Sequence, residues 1–313
     1  MQLAFEQSGQ GQPVLLLHGL FASSHNWRDV AAGLALTHRV FNVDLRNHGN
    51  SPRASDMSYL ALADDLLELI EREGLVRPYL VGHSMGGKAA MALALAAPYA
   101  VGGASVIDVA PLSYVDRLTH QVHSMMDALA HAPPRTAAAD AVLAQWLMPR
   151  VDSGHTYVDR RSFLPAIAMS LHDLCGFPSP LRYLSTELPL HALAGSQSDC
   201  VQPALAALYQ PMFPRVRMEV IEGAGHWVHA DRPQALLASL RRALAAMPEQ
   251  GPDAPPTKAA PSRRGGGNRV AKGRRERTTA SPAASSPLES PLASPLESPP
   301  ASPLASPFAA LLR

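Results

Sequence analysis

The sequence predicts an α/β protein, a mostly parallel sheet with helices on both faces, and three observations carry that expectation. Runs of about five apolar residues recur at Pro13–Leu17, Arg39–Val43, Tyr79–Val81, Ser105–Val109, Leu190–Ala194 and Arg217–Ile221. Consecutive rather than alternating apolar residues suit strands covered on both faces. Helical patterns fall between the runs, as crossovers between parallel strands require. A glycine-rich turn, Gly82-His83-Ser84-Met85-Gly86-Gly87, joins one run directly to a helix.

The elements follow in order. Pro13–Leu17 runs into His18-Gly19-Leu20-Phe21, and Arg39–Val43 into the polar stretch Asp44–Ser51. Asp64, Leu66, Leu67, Leu69 and Ile70 mark a helix ending near Gly74. Met85–Ala97 is an Ala-rich helix stopped by Pro98, and Pro233–Met247 is an amphipathic helix closing the periodic part of the chain. About 80 residues separate the runs at Ser105–Val109 and Leu190–Ala194, far more than one crossover needs. The excess reads as an inserted helical cap over about 112–186, with helices near Tyr114–Ala130, Thr136–Leu147 and Arg160–Leu174.

Composition divides the chain in two. Of 313 residues, 47% are hydrophobic and 5% aromatic; 13 of 29 prolines lie in 248–313, where Phe308 is the one aromatic. Residues 1–247 are expected to form one packed domain with the cap inserted in it, and 248–313 a disordered extension unable to bury a core. Within it, 258–277 holds eight Lys and Arg against one Glu, and near-repeats of Ser-Pro-Leu follow. Residues 1–247 carry 18 Lys and Arg against 21 Asp and Glu, which excludes a basic nucleic-acid-binding body. Two cysteines, Cys175 and Cys200, make neither a disulfide framework nor a Cys-x-x-Cys pair. No cofactor, metal or transmembrane segment is expected. The N-terminus has no basic start followed by an apolar run, so a cytoplasmic protein is expected.

The chemistry concentrates at the glycine-rich turn. A serine between a strand's end and a helix, flanked by residues without Cβ, sits on a strained turn that exposes its hydroxyl, so Ser84 is the candidate nucleophile. Serine needs a base. Gly223-Ala224-Gly225-His226-Trp227 follows the final apolar run and places His226 at a strand end, where open α/β sheets carry their sites. His229 competes but lies toward the last helix. The base needs a carboxylate, and two stand at suitable strand ends: Asp108, in Val106-Ile107-Asp108-Val109-Ala110-Pro111, and Asp199, in Asp199-Cys200-Val201-Gln202-Pro203. The backbone N–H groups of Leu20 and Met85 are the expected oxyanion hole. His18 reads as a structural hydrogen bonder, and so does His48 in the Asp44–Ser51 loop. Phe21, Trp227, Trp146 and Phe163, together with Met85, are the bulky apolar candidates for the substrate pocket.

Four strings in this order, Leu-Leu-Leu-His18-Gly19-Leu20-Phe21, Asp44-Leu45-Arg46-Asn47-His48-Gly49-Asn50-Ser51, Gly82-His83-Ser84-Met85-Gly86-Gly87-Lys88-Ala89 and Gly225-His226-Trp227-Val228-His229-Ala230, resemble the α/β-hydrolase superfamily, and within it the YbfF-type esterases. The likeness spans about residues 2–246. It implies an α/β-hydrolase fold with a small cap and hydrolysis of carboxylic esters or acyl thioesters through an acyl-serine. It also implies that the acid is Asp108, although this chain carries Asp199 as well. The substrate expected is a small acyl ester of short to medium chain length, with no specific nucleic-acid partner. Carbon–carbon bond hydrolysis and perhydrolysis share such a triad, and the basic, proline-rich extension offers a scaffold role as the reading of another class.

Overall fold

A computed structural model describes residues 1–131, 159, 161–201 and 206–247. Expectations for Trp146, the Thr136–Leu147 helix and the whole extension 248–313, its basic segment 258–277 included, lie outside them. The elements in chain order are β1 (Phe5–Ser8), β2 (Pro13–Leu17), α1 (Arg28–Leu34), β3 (Arg39–Val43), α2 (Tyr59–Arg72), β4 (Tyr79–His83), α3 (Met85–Ala96) and β5 (Gly103–Ile107). They continue with α4 (Val115–Ala130), α5 (Leu164–Met169), α6 (Leu171–Cys175), β6 (Leu190–Gly195), α7 (Ala206–Tyr209), β7 (Val216–Ile221), α8 (Val228–Asp231) and α9 (Pro233–Ala245).

The seven strands form one sheet in the order β1-β3-β2-β4-β5-β6-β7. All neighbours run parallel except β1, which pairs antiparallel with β3 at the edge. The fold is the α/β-hydrolase fold. After β3 the chain returns across β2 to lay down β4, so the strand order reverses there and a crevice opens at the carboxyl ends of β2 and β4. Side chains of β2 alternate between two buried layers: Leu15 and Leu17 pack with α2 and α3, whereas Val14 and Leu16 pack with α1 and α9.

Several boundaries differ from the sequence expectation, each for a local reason. The run at Ser105–Val109 is a strand over Gly103–Ile107, because Asp108 turns the chain with φ of 52°. The helix expected over Arg160–Leu174 divides into α5 and α6 at Ser170. β1 escaped the pattern because Phe-Glu-Gln-Ser is polar and mostly exposed, with Phe5 packed on Phe41 at 5.3 Å. Among the described residues of the long insertion, α4, α5 and α6 are helical, and no helix of the described residues is long and apolar enough to cross a membrane.

Candidate active site

Ser84 stands between β4 and α3 with φ of 51° and ψ of −116°, a conformation that costs a non-glycine residue on the order of 1–3 kcal/mol. Two flanking glycines make this turn possible. A Cβ on Gly82 would come within 2.3 Å of the Gly86 carbonyl oxygen, and one on Gly86 within 2.4 Å of the Leu17 carbonyl oxygen. The turn is therefore wedged against the end of β2, and the Ser84 N–H is fixed by the Ile107 carbonyl at 3.0 Å. Met85 opens α3, so its N–H has no acceptor within the helix.

His226 follows β7 in the loop before α8. Its Nδ1–H donates to Asp108 Oδ2 at 2.7 Å, so that in the neutral ring Nε2 is the nitrogen able to accept. Asp108 is 1% exposed and holds two further donors: the Gly195 N–H on Oδ1 at 3.2 Å and the Ser198 hydroxyl on Oδ2 at 2.5 Å. Three donors keep a buried carboxylate in place, as its desolvation demands. Burial works to lower the His226 pKa, but the hydrogen bond to Asp108 and the adjacent Cys200 thiol outweigh it, and the pKa is raised above 6.5.

Asp199 stands apart from this arrangement. It is exposed at the rim, and its backbone carbonyl accepts from Arg117 Nη1 at 2.6 Å. The neighbour the sequence did not single out, Ser198, is the one that reaches Asp108. A serine beside a candidate acid was the signal available, but nothing in the sequence ranked it above Asp199.

The other histidines are tied into the scaffold. The Leu45 N–H donates to His18 Nε2 at 3.0 Å, so the His18 proton sits on Nδ1 and is given to the Gly19 carbonyl at 2.8 Å. In the same way His48 Nε2 accepts the Phe21 N–H at 3.2 Å while Nδ1–H donates to the Arg46 carbonyl at 2.9 Å. Burial lowers the His48 pKa to about 3, with His18 adding to the effect, so both rings are neutral brackets on the Gly19–Phe21 turn. Asp159 completes that bracket, its N–H on the Phe21 carbonyl at 2.7 Å and its carboxylate on the Gly49 N–H at 2.8 Å. His229 is stacked on Trp27 at 5.0 Å, and burial drives its pKa down to about 3.

A cleft of about 440 Å³ opens over these groups, lined more by apolar than by polar surface. Ser84, Asp108 and His226 line it, together with Leu20, Phe21, Met85 and Trp227. Phe163 corrects the expectation. It lies away from the cleft lining, giving its N–H to the Asn47 carbonyl at 2.8 Å with the Arg53 guanidinium 5.0 Å above its ring. Its backbone fastens the start of α5 to the Asp44–Ser51 loop, and its ring lies under the Arg53 guanidinium.

Residues 14–240 match the alpha/beta hydrolase family. Esterase YbfF of Escherichia coli is 32% identical over 251 residues, 76% of this chain and 96% of that protein. An sn-1-specific diacylglycerol lipase of Mus musculus is 33% identical over 249 residues, 74% of this chain and 80% of the lipase. Among solved structures, a marine microorganism esterase aligns with a TM-score of 0.67 at 29% identity, over 77% of this chain and 98% of its own.

Proposed function

The chain belongs to the α/β-hydrolase family and is a carboxylic ester hydrolase of the esterase and lipase type, and from that premise we propose that it works through an acyl-serine intermediate on Ser84. In this reading Ser84 Oγ attacks the ester carbonyl as His226 Nε2 takes its proton. Asp108, bonded to Nδ1, holds the ring in the accepting tautomer and stabilises the imidazolium that forms. The N–H groups of Leu20 and Met85 donate to the oxyanion, each worth roughly a hundred- to a thousand-fold in rate. His226 then returns its proton to the departing alcohol, and the same base activates the water that frees the acid from Ser84.

The observation that carries the proposal is the 2.7 Å bond between His226 and the buried Asp108, in the cleft over which the strained Ser84 also stands. Strain at a serine, a paired imidazole and a water-accessible cleft coincide at hydrolytic sites and have no common structural purpose. Ser198 is assigned as the residue that orients Asp108 from its other side. For the substrate, a cleft of about 440 Å³ with Phe21, Met85 and Trp227 in its wall supports a short to medium acyl chain.

Two measurements test this. Ser84→Ala should abolish hydrolysis of p-nitrophenyl butyrate while leaving the melting temperature within about 2 °C of the parent; unchanged turnover overturns the serine assignment. A series of p-nitrophenyl esters from acetate to palmitate, run beside an acyl-CoA and a glyceride, should peak in kcat/KM at short or medium length. A maximum at palmitate overturns the chain-length assignment.

A further inference from the structure

Cys200 has no part in the chemistry above, yet its thiol stands beside the base and the carboxylate that orients it. One donor atom each from Asp108, His226 and Cys200 lie within 4.8 Å of one another, and all three residues line the cleft. The backbone of Cys200 is fixed on both sides: its N–H donates to Ser198 Oγ at 3.1 Å, and its carbonyl accepts the Tyr114 hydroxyl at 3.1 Å. A thiol, an imidazole and a carboxylate make up the donor set that zinc favours, with a cleft water left for the fourth position.

We propose that Asp108, Cys200 and His226 form a binding site for a thiophilic divalent cation, Zn²⁺ foremost, whose occupation switches off hydrolysis. Zinc bonds of about 2.0–2.3 Å put tetrahedral ligands about 3.5 Å apart, so His226 Nδ1 and Asp108 Oδ2, 2.7 Å apart in their hydrogen bond, open to admit the ion while the Cys200 thiol, within 4.8 Å of the pair, supplies the third ligand. The protons balance simply. The Cys200 thiol gives up its proton to solvent as the Zn–S bond forms. Zinc displaces the proton on His226 Nδ1, which is carried on Nε2 instead, so the imidazole stays neutral. One proton leaves the protein per ion bound where His226 starts neutral, and two where it starts as the imidazolium. With Nε2 protonated, His226 presents a donor to the cleft and has no lone pair with which to take a proton from Ser84. Mg²⁺ and Ca²⁺, which prefer oxygen ligands, should leave the enzyme untouched.

The inhibitory half of this proposal rests on the function proposed above, whereas metal binding itself does not, and the experiment separates them. The full-length Ser84→Ala protein, which turns over no substrate, is titrated with ZnCl₂ by calorimetry in two buffers of different ionisation enthalpy. One site per chain releasing one to two protons is expected, weakened about tenfold or more when Cys200→Ser or Cys200→Ala is added. Isotherms that do not respond to either Cys200 change overturn the site. In parallel, ester hydrolysis by the parent should fall with Zn²⁺ and return with EDTA, while the Cys200 variants resist, each measured against its own rate in EDTA. Zinc that binds the Ser84→Ala protein at Cys200 without slowing the parent overturns the switch. A parent with no esterase activity in EDTA counts against the proposed function alone, and the titration still decides the metal site.

Discussion

At the residue scale, the deciding relationship is between His226 and its carboxylate. His226 must be neutral to accept the Ser84 proton, and its pKa is raised, so kcat/KM should fall on acidification along a limb whose midpoint lies above 6.5. Asp108→Asn removes both the negative charge and the acceptor that fixes the tautomer. Its kcat should drop by about 10⁴, and the acid limb should move to lower pH. Asp199→Asn, by contrast, should leave both the rate and the limb where they were. Profiles of kcat/KM against pH for the three proteins check all of this at once. A limb that moves with Asp199 and not with Asp108 would show that the acid had been wrongly assigned.

At the scale of elements, α3 does two things through residues one turn apart. Its first turn presents Ser84 and Met85 to the cleft, and Lys88 fastens it to the end of α6. Lys88 is 2% exposed, and its ammonium donates to the carbonyls of Cys175, at 3.1 Å, and Gly176, with the rings of Tyr59 and Tyr114 within 5.6 and 4.8 Å. Burial lowers its pKa from 10.5 to about 7. The sign of the linkage follows: between about pH 7 and 10.5 the unfolded chain holds a proton the folded chain lacks, so this group makes stability rise with pH across that window. Lys88→Met removes the contribution. Calorimetric melting temperatures at pH 6.5 and 9.5 should therefore show the variant comparing better with the parent at the lower pH than at the higher. An equal difference at both values would mean that Lys88 keeps its charge throughout.

At the scale of the molecule, the site is an outcome of sheet topology. β2, β4, β5 and β7 deliver Leu20, Ser84, Asp108 and His226 from their carboxyl ends, and β6 delivers Ser198. Every strand of the described residues and every proposed catalytic group precedes Met247. A chain ended at Met247 should accordingly keep kcat/KM within about twofold and its melting temperature within about 2 °C. Loss of activity on truncation would place part of the catalytic domain beyond that residue.

Local physics determined a good deal of this protein from its sequence. Consecutive apolar residues betrayed the parallel strands because those strands are covered on both faces, and the spacing of glycines around Ser84 betrayed the elbow because only residues without Cβ fit against the end of β2. The position of His226 after the last strand could be read for the same reason, since a strand end is a sequence feature. The polar edge strand β1 could not, because an exposed strand with one packing residue has no apolar run to show. Only the tertiary structure decided the rest. Whether Asp108 or Asp199 meets a histidine 118 or 27 residues downstream depends on which strands are neighbours and how each loop turns, and neither is written in local pattern. The same holds for Ser198 on the far side of Asp108, for the Cys200 thiol beside the pair, and for Phe163, whose apolar side chain suited a pocket as well as it suits the Arg53 guanidinium above it. Hydrophobicity states that a side chain is to be buried, but the partner that buries it is chosen by the fold.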